Sequence, residues 1–303
     1  MRALVLLLML TLFVSCSKES YSEEEKELQK QFVKFESNVF EKYCLDNFDL
    51  NNDGKISLYE ASFVISIRFV NEDDAKVSVK GLESFTNLQS LFLKGFIGDL
   101  DLSKNDKLTS LEVTSTDLEY IDVSKNTELT IFKCGNNKIK KLDISNNKKL
   151  TDFECDRNEI SSLDISDFEC LSMLSCVYNK INSISINNCK ALGLVRMDNN
   201  CISDLSLTNC PNLNGLFCSG NNLENIDLSS FHKLKILACM DNRLTSLNVS
   251  QCNQTLVLVA WPQESILEKL YRKWNQKLSF FTDYYLNKTV DISEYGTTLI
   301  NLE

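Results

Sequence analysis

The sequence predicts a solenoid built mainly of β-structure, with a parallel sheet on its concave face, few helices and a cap of different composition at each end. Three observations predict it. Leu88, Leu108, Leu129, Leu150, Leu171, Leu192, Leu213 and Leu234 recur every 21 residues after one first step of 20, and self-similarity at such a period marks a stack of coils. Inside each unit apolar residues return three, five, ten, thirteen and fifteen places later, as in Leu129, Phe132, Cys134, Ile139, Leu142 and Ile144. A unit this short cannot bury an apolar face alone, so it must stack on its neighbours. The period-two alternation across its first six residues suits a strand with one buried side. Function is then to be sought on exposed faces rather than in a cleft.

The unit reads L-x-x-L-x-C-x-x-N-x-I/L-x-x-L-x-I/V and is clearest at Leu213, Leu216, Cys218, Asn221, Leu223, Ile226 and Leu228. It resembles the leucine-rich repeat and, within that class, the 21-residue cysteine-ladder subtype of internalin-J-like proteins and of surface lipoproteins of Bacteroidetes, over residues 64–262. The resemblance implies a leucine-rich-repeat solenoid with one short parallel strand per unit and a largely irregular return segment.

Asn137, Asn158, Asn179, Asn200, Asn221 and Asn242 sit eight places after the first Leu, where the chain leaves the strand. An amide there can donate to and accept from backbone groups of adjacent coils, which no sheet ladder reaches. Twelve Cys in an exported chain would ordinarily suggest disulfides. Here Cys134, Cys155, Cys176, Cys218 and Cys239 occupy the second buried strand position, which Leu93, Val113 and Met197 fill in other units. Cys189, Cys210 and Cys252 share a return-segment site with Phe168 and Phe231. Such sites want apolar side chains, and parallel side-chain vectors on coils about 4.8 Å apart hold the Cβ atoms further apart than a relaxed disulfide prefers. Buried free thiols are expected.

Ahead of the repeats, Met1 and Arg2 precede an apolar run from Ala3 to Val14, short for a membrane anchor and typical of an export signal. It ends at Phe13-Val14-Ser15-Cys16, which resembles a bacterial lipobox with Phe where Leu is usual, and makes Cys16 the acylated first residue. The acidic stretch through Glu23, Glu24 and Glu25 resembles the signal for export to the outer face of the outer membrane. The expected organisation is a signal at 1–15, a lipid anchor and tether at 16–24, a helical cap at 25–63, repeats at 64–262 and a second cap at 263–303. Two Pro in the whole chain leave no flexible linker between these parts.

The first cap carries the one recognisable ligand motif. Asp49-Leu50-Asn51-Asn52-Asp53-Gly54-Lys55-Ile56-Ser57-Leu58-Tyr59-Glu60 matches all twelve positions of an EF-hand loop. Asp49, Asn51 and Asp53 offer side-chain oxygens, Lys55 a backbone carbonyl, Ser57 a water-mediated contact and Glu60 a bidentate carboxylate, a set suited to calcium. Ser22 to Glu25 reads as a capping box. Leu28, Phe32, Phe35, Val39 and Tyr43 then predict one entering helix with an apolar face. The exiting helix gives way to strand-like alternation at Phe63, Ile65, Ile67 and Phe69. With no second hand and no Met-rich groove, a structural role for the ion is expected. After Pro262, Ile266, Leu267, Leu270 and Trp274 suit a short amphipathic helix, and Phe280 to Leu302 alternates like edge strands.

The net charge of -10 makes duplex nucleic acid and anionic lipid poor partners. Residues two, four and six places after each Leu point out from the sheet. In the amino-terminal units they are polar, with Glu112, Lys133, Asp152, Glu154 and Asp156. Further on they include Met173, Val177, Leu194, Phe217, Ile236, Met240, Val257, Val259 and Trp261, with Arg196 and Asp198 among them and Tyr178 nearby. Apolar residues at solvent-facing positions of successive coils make a patch, and such patches mark binding surfaces. The patch could instead lie under the second cap or serve self-association. His232, the single His, has no implied catalytic partner, and carboxylates on an open sheet lack the enclosure that tunes a glycosidase pair, so no enzyme is expected. The reading is a lipid-anchored surface protein of the outer membrane that binds a protein or glycoprotein through its concave face. The alternatives are a glycan-binding lipoprotein for nutrient capture and a self-assembling envelope protein.

Overall fold

A computed structural model describes residues 21–72, 77–96 and 98–260, and beyond them the strands Lys269–Lys273, Lys277–Phe280 and Thr298–Leu302. Cys16 and Trp261 lie outside the described residues, as does the whole of the expected signal.

The solenoid is organised around one parallel sheet of eleven strands. It runs through Ser66–Val70, Ser90–Lys94, Ser110–Thr114, Ile131–Lys133, Asp152–Glu154, Met173–Ser175, Leu194–Arg196, Gly215–Phe217, Ile236–Ala238, Thr255–Val259 and Lys277–Phe280. In register down its buried side stand Leu91, Leu111, Phe132, Phe153, Leu174, Val195, Leu216, Leu237 and Leu258. All are at most 1 % exposed, and each large apolar side chain so buried contributes about 1.5–3 kcal/mol. The Phe132 and Phe153 rings stack with centroids 5.7 Å apart.

The repeated Asn does what its position predicts. Asn200 Nδ2 donates to the carbonyls of Cys176 (2.9 Å) and Met197 (3.0 Å), while its Oδ1 accepts from the Ile181 N–H at 3.0 Å. Asn137, Asn158, Asn179, Asn221 and Asn242 bond likewise between coils. All eleven described Cys are free, nine of them buried and only Cys170 and Cys201 exposed.

The return side departs from the expectation of irregular structure in its second half. There Ser162–Asp164, Ser183–Asn187 and Ser206–Thr208 form a second parallel sheet, and Ser246–Asn248, Lys269–Lys273 and Thr298–Leu302 a third. The parallel ladder also continues past Pro262, since Lys277–Phe280 pairs with Thr255–Val259. Leu270, expected on a helix, is buried in a strand in register with Leu247. Stacking on the preceding coil overrides the helical spacing; Ile266, Leu267 and Trp274 lie outside the described residues.

The amino-terminal cap differs from the single entering helix expected. Helix α1, Glu23–Leu28, starts at the Ser22/Glu25 capping box, and helix α2, Asn38–Phe48, starts afresh at Ser37, whose side chain accepts from the Val39 N–H. Between them Phe32 forms an antiparallel bridge with Ser57. The Val33 N–H donates to the Ile56 carbonyl and the Leu58 N–H to the Gln31 carbonyl, both at 2.8 Å. Gln31, Phe32 and Val33 thus satisfy the backbone of Ile56 to Leu58, which breaks the helix and leaves Phe32 and Val39 40 % and 48 % exposed. Helix α3, Leu58–Ala61, is the short exiting helix. The cap packs on the first coil through Phe40 against Phe69, with centroids 5.1 Å apart, and Phe48 against Phe85 at 5.9 Å.

Candidate recognition face and cation loop

Three columns of side chains emerge from the concave sheet. The first runs through Met173, Leu194, Gly215, Ile236 and Val257, and the middle one through Ser175, Arg196, Phe217, Ala238 and Val259. Met173, Leu194, Arg196, Phe217, Ile236, Met240 and Val257 are half-buried and lie outside the core cluster. Two of the apolar residues expected on this face are withdrawn from solvent: Val177 is 8 % exposed and Val259 fully buried. Val177 stands between Asp156 and Asp198 in its column, and its N–H donates to Asp156 Oδ1 at 2.7 Å, so the chain there is already turning inward. Trp261 lies outside the described residues.

Sequence reasoning missed the small residues that shape the face. Ser175 and Ala238 are 3 % and 4 % exposed, so Arg196 and Phe217 stand between them as a ridge. The Arg196 Cζ lies 5.9 Å from the Phe217 ring centroid, within reach of the attraction between a guanidinium and an aromatic face. At Gly215 an added Cβ would come within 2.9 Å of Leu194 Cδ1 and 3.5 Å of Phe217 Cε2. The glycine therefore lets Leu194 and Phe217 close over the sheet, and a Gly among apolar strand residues was the available signal.

The acids of the columns divide by task. Asp156 Oδ1 accepts from both Ser175 Oγ and Val177 N at 2.7 Å, and Asp198 Oδ1 from Ser219 N at 3.0 Å. Both tie one coil to the next, so Asp156 is structural rather than part of a solvated acidic patch. Burial pushes the Asp198 carboxyl above its ordinary pKa, against the lowering effect of the Ser219 N–H. Glu154 is also raised, by burial first and then by Asp156, with Lys133 opposing. His232 is exposed, its Nδ1 2.9 Å from the Gln251 carbonyl oxygen.

In the loop, Gly54 adopts φ +79°, as the turn requires. Asp49 Oδ2 accepts from the Gly54 N–H at 2.9 Å, Asn51 Oδ1 from Asp53 at 2.8 Å and Asp53 Oδ1 from Lys55 at 2.9 Å. Glu60, 4 % exposed, accepts from the N–H groups of Leu50, Asn51 and Ser57 and from Ser57 Oγ. Asp49 Oδ1 is buried without a hydrogen-bond partner. A buried carboxylate oxygen left over in an all-oxygen loop is in keeping with a hard cation. Among the described residues no three His, Cys, Asp or Glu side chains converge as they would around a bound ion, since Glu60 is directed to the backbone.

No protein-family model and no curated protein matches the chain. Solved structures do. The functional domain of InlJ from Listeria monocytogenes, which includes a cysteine ladder, is similar at a TM-score of 0.71 and 24% identity, covering 90% of this chain and 68% of that one. Internalin C2 from the same organism is similar at 0.53 and 20%, covering 66% of this chain and 92% of that one. The TLR13 chain of a TLR13–ssRNA13 complex is similar at 0.54 and 15%, covering 92% and 44%. With the stacked Leu register, the Asn ladder and the buried thiols, these likenesses identify the fold as a leucine-rich-repeat solenoid of the cysteine-ladder type.

Proposed function

We propose that this is a non-enzymatic, lipid-anchored surface protein of the bacterial outer membrane, which recognises a protein or glycoprotein through the carboxyl-terminal part of its concave sheet. The observation that carries the reading is the ridge of Arg196 and Phe217, flanked by Met173, Leu194, Ile236 and Met240 on successive coils of one continuous sheet. Half-buried apolar residues beside an Arg make the composition of an interface anchor. The anchor is assigned to Cys16 on the lipobox alone. The test compares residues 17–303 with a Phe217→Asp, Met240→Asp double variant against surface-protein extracts and glycan arrays. Retention of a protein by the parent only, with both forms equally folded, supports the reading. Glycan capture moves the function to nutrient binding, and self-association of the parent alone moves it to envelope assembly.

Calcium is assigned a structural role in the Asp49–Glu60 loop. Asp49, Asn51, Asp53 and Glu60 would hold it by side chains, Lys55 by its carbonyl and Ser57 through water, and the orphaned Asp49 oxygen supports the assignment. The ion would fix the cap against the first coil. At a hundred times its dissociation constant it should stabilise the protein by about 2.7 kcal/mol, a gain that Asp49→Ala should remove. An equal melting temperature for parent and Asp49→Ala in saturating calcium would sink the structural role.

A further inference from the structure

Exposed apolar surface is unevenly placed on this molecule. Of the ten large apolar residues exposed among the described residues, seven lie between residues 21 and 70: Tyr21, Phe32, Val39, Leu50, Phe63, Ile65 and Val70. Part of this set is one continuous aromatic strip. The Tyr21 ring meets Tyr59 edge to face with centroids 5.7 Å apart, and Tyr59 meets Phe63 at 4.9 Å. Tyr21 and Phe63 are 42 % and 43 % exposed. The Phe32 bridge to Ser57 places another exposed ring beside the same short helix. The strip is the outer surface of the cap, while Phe40, Phe48 and Tyr43 form its inner surface against the first coil.

We infer that this strip is a membrane-docking face, which seats the cap on the bilayer that holds the lipid anchor. The inference rests on the assignment of Cys16 as that anchor. Only Ser17, Lys18, Glu19 and Ser20 separate Cys16 from Tyr21, and five chain steps reach at most about 18 Å. A cap tethered that closely meets the lipid surface at a high effective concentration, so a small patch suffices to hold it. Tyr rings, apolar with a polar tip, suit the headgroup level. Glu23, Glu24 and Glu25 beside the strip rule against attraction by anionic headgroups, so the contact is apolar, insensitive to salt, and favours an uncharged or zwitterionic surface. Docked in this way the solenoid starts at the membrane, and the Arg196/Phe217 ridge lies many coils away from it.

The test uses the full acylated chain in phosphatidylcholine vesicles, with two reporters: Phe63→Trp on the strip and Tyr178→Trp on the solenoid. Quenching by brominated phosphatidylcholine is read as the excess over the parent chain, which carries two Trp of its own. Docking predicts excess quenching at Phe63→Trp, none at Tyr178→Trp, and no change between low and high salt. Equal quenching at both positions, or none at either, with the Cys16 acyl group confirmed by peptide mass, overturns docking and leaves the anchor standing. If the mass shows no acyl group, the anchor reading fails, and co-sedimentation of the unacylated chain with the same vesicles decides docking. Binding lost in a folded Tyr21→Ser, Phe63→Ser variant supports it, and no binding by the parent overturns it.

Discussion

The amino-terminal and carboxyl-terminal halves of the solenoid share one period and one strand register but solve the return side differently. In the early coils a return column carries Asn105, Asn126 and Asn147, all fully buried. Asn126 Nδ2 donates to the Leu102 carbonyl at 3.2 Å and to that of Asn105 at 2.8 Å, and Asn147 repeats this one coil on. Each Oδ1 in the column is left without a partner. In later coils the same column holds Phe168, Cys189, Cys210, Phe231 and Cys252. Cys189 Sγ donates to Ile165, at 2.9 Å, the carbonyl 24 residues back that Asn126 and Asn147 also reach. There the backbone bonds itself into the return sheet of Ser162–Asp164, Ser183–Asn187 and Ser206–Thr208. Side-chain amides in one half and a strand ladder in the other thus tie neighbouring coils together along the return side, and the thiol is a donor as well as a small apolar group.

The comparison can be broken most forcefully at the concave Asn ladder, which both halves share. Asn200→Ala orphans the Ile181 N–H in the core and takes one of two amide donors from each of the Cys176 and Met197 carbonyls, which Asn179 and Asn221 still reach. It should cost about 2–3 kcal/mol, measured by urea unfolding. Asn126→Ala removes two bonds together with an oxygen that had none, so its cost should be smaller, about 1–2 kcal/mol. Asn126→Cys, which imports the device of the later coils, should cost less than Asn126→Ala; a larger loss would mean that the thiol is no substitute. Thiol reagents sharpen the same point. Burial pushes Cys239 and Cys252 up to about 12 and raises Cys134, Cys155, Cys176 and Cys218. Of the described Cys, native protein should therefore expose Cys170 and Cys201 to reagent and the other nine only after unfolding.

The smallest effects come from pH. Asp101, Asp122, Asp143, Asp164 and Asp227 each accept hydrogen bonds from the Ser two places on, which hold the carboxyl below its usual value. Their stabilisation is complete above about 3.9, the ordinary Asp value, and is lost as pH falls through the lowered folded values. Thermal midpoints should decline in that window, modestly because these acids are mostly exposed. Asp198 has the opposite sign. Its raised folded pKa means stability is lost as pH rises from the ordinary value through the folded one, so Asp198→Asn should gain on the parent over that rise. A parallel pH dependence of parent and variant would show that Asp198 is not strained.

Repetition made most of this fold readable. The Leu, Cys and Asn columns are legible because one physical environment recurs every 21 residues, and eight copies average out local ambiguity. The sharp turn at Gly54 was legible for a similar reason, as twelve spaced positions define it. The entering helix was not, because Leu28, Phe32, Phe35 and Val39 keep helical spacing while the backbone of Ile56 and Ser57 demands a partner from the same segment. Asn105, Asn126 and Asn147 were missed because the column changes chemistry at Phe168, so no one consensus letter spans it.

The sequence by itself determined the stack, its handedness of in and out and the free thiols, since these follow from side-chain period and size. Only the tertiary structure decided which outward residues stay outward. Val177 and Val259 are buried while Phe217 and Arg196 form a ridge, because exposure depends on the neighbouring coils: Gly215, Ser175 and Ala238 yield space that larger residues would take. Pairing of the loop by Gln31–Val33 belongs to the same class, being a hydrogen-bond demand that crosses some 25 residues and leaves no periodic trace in the chain.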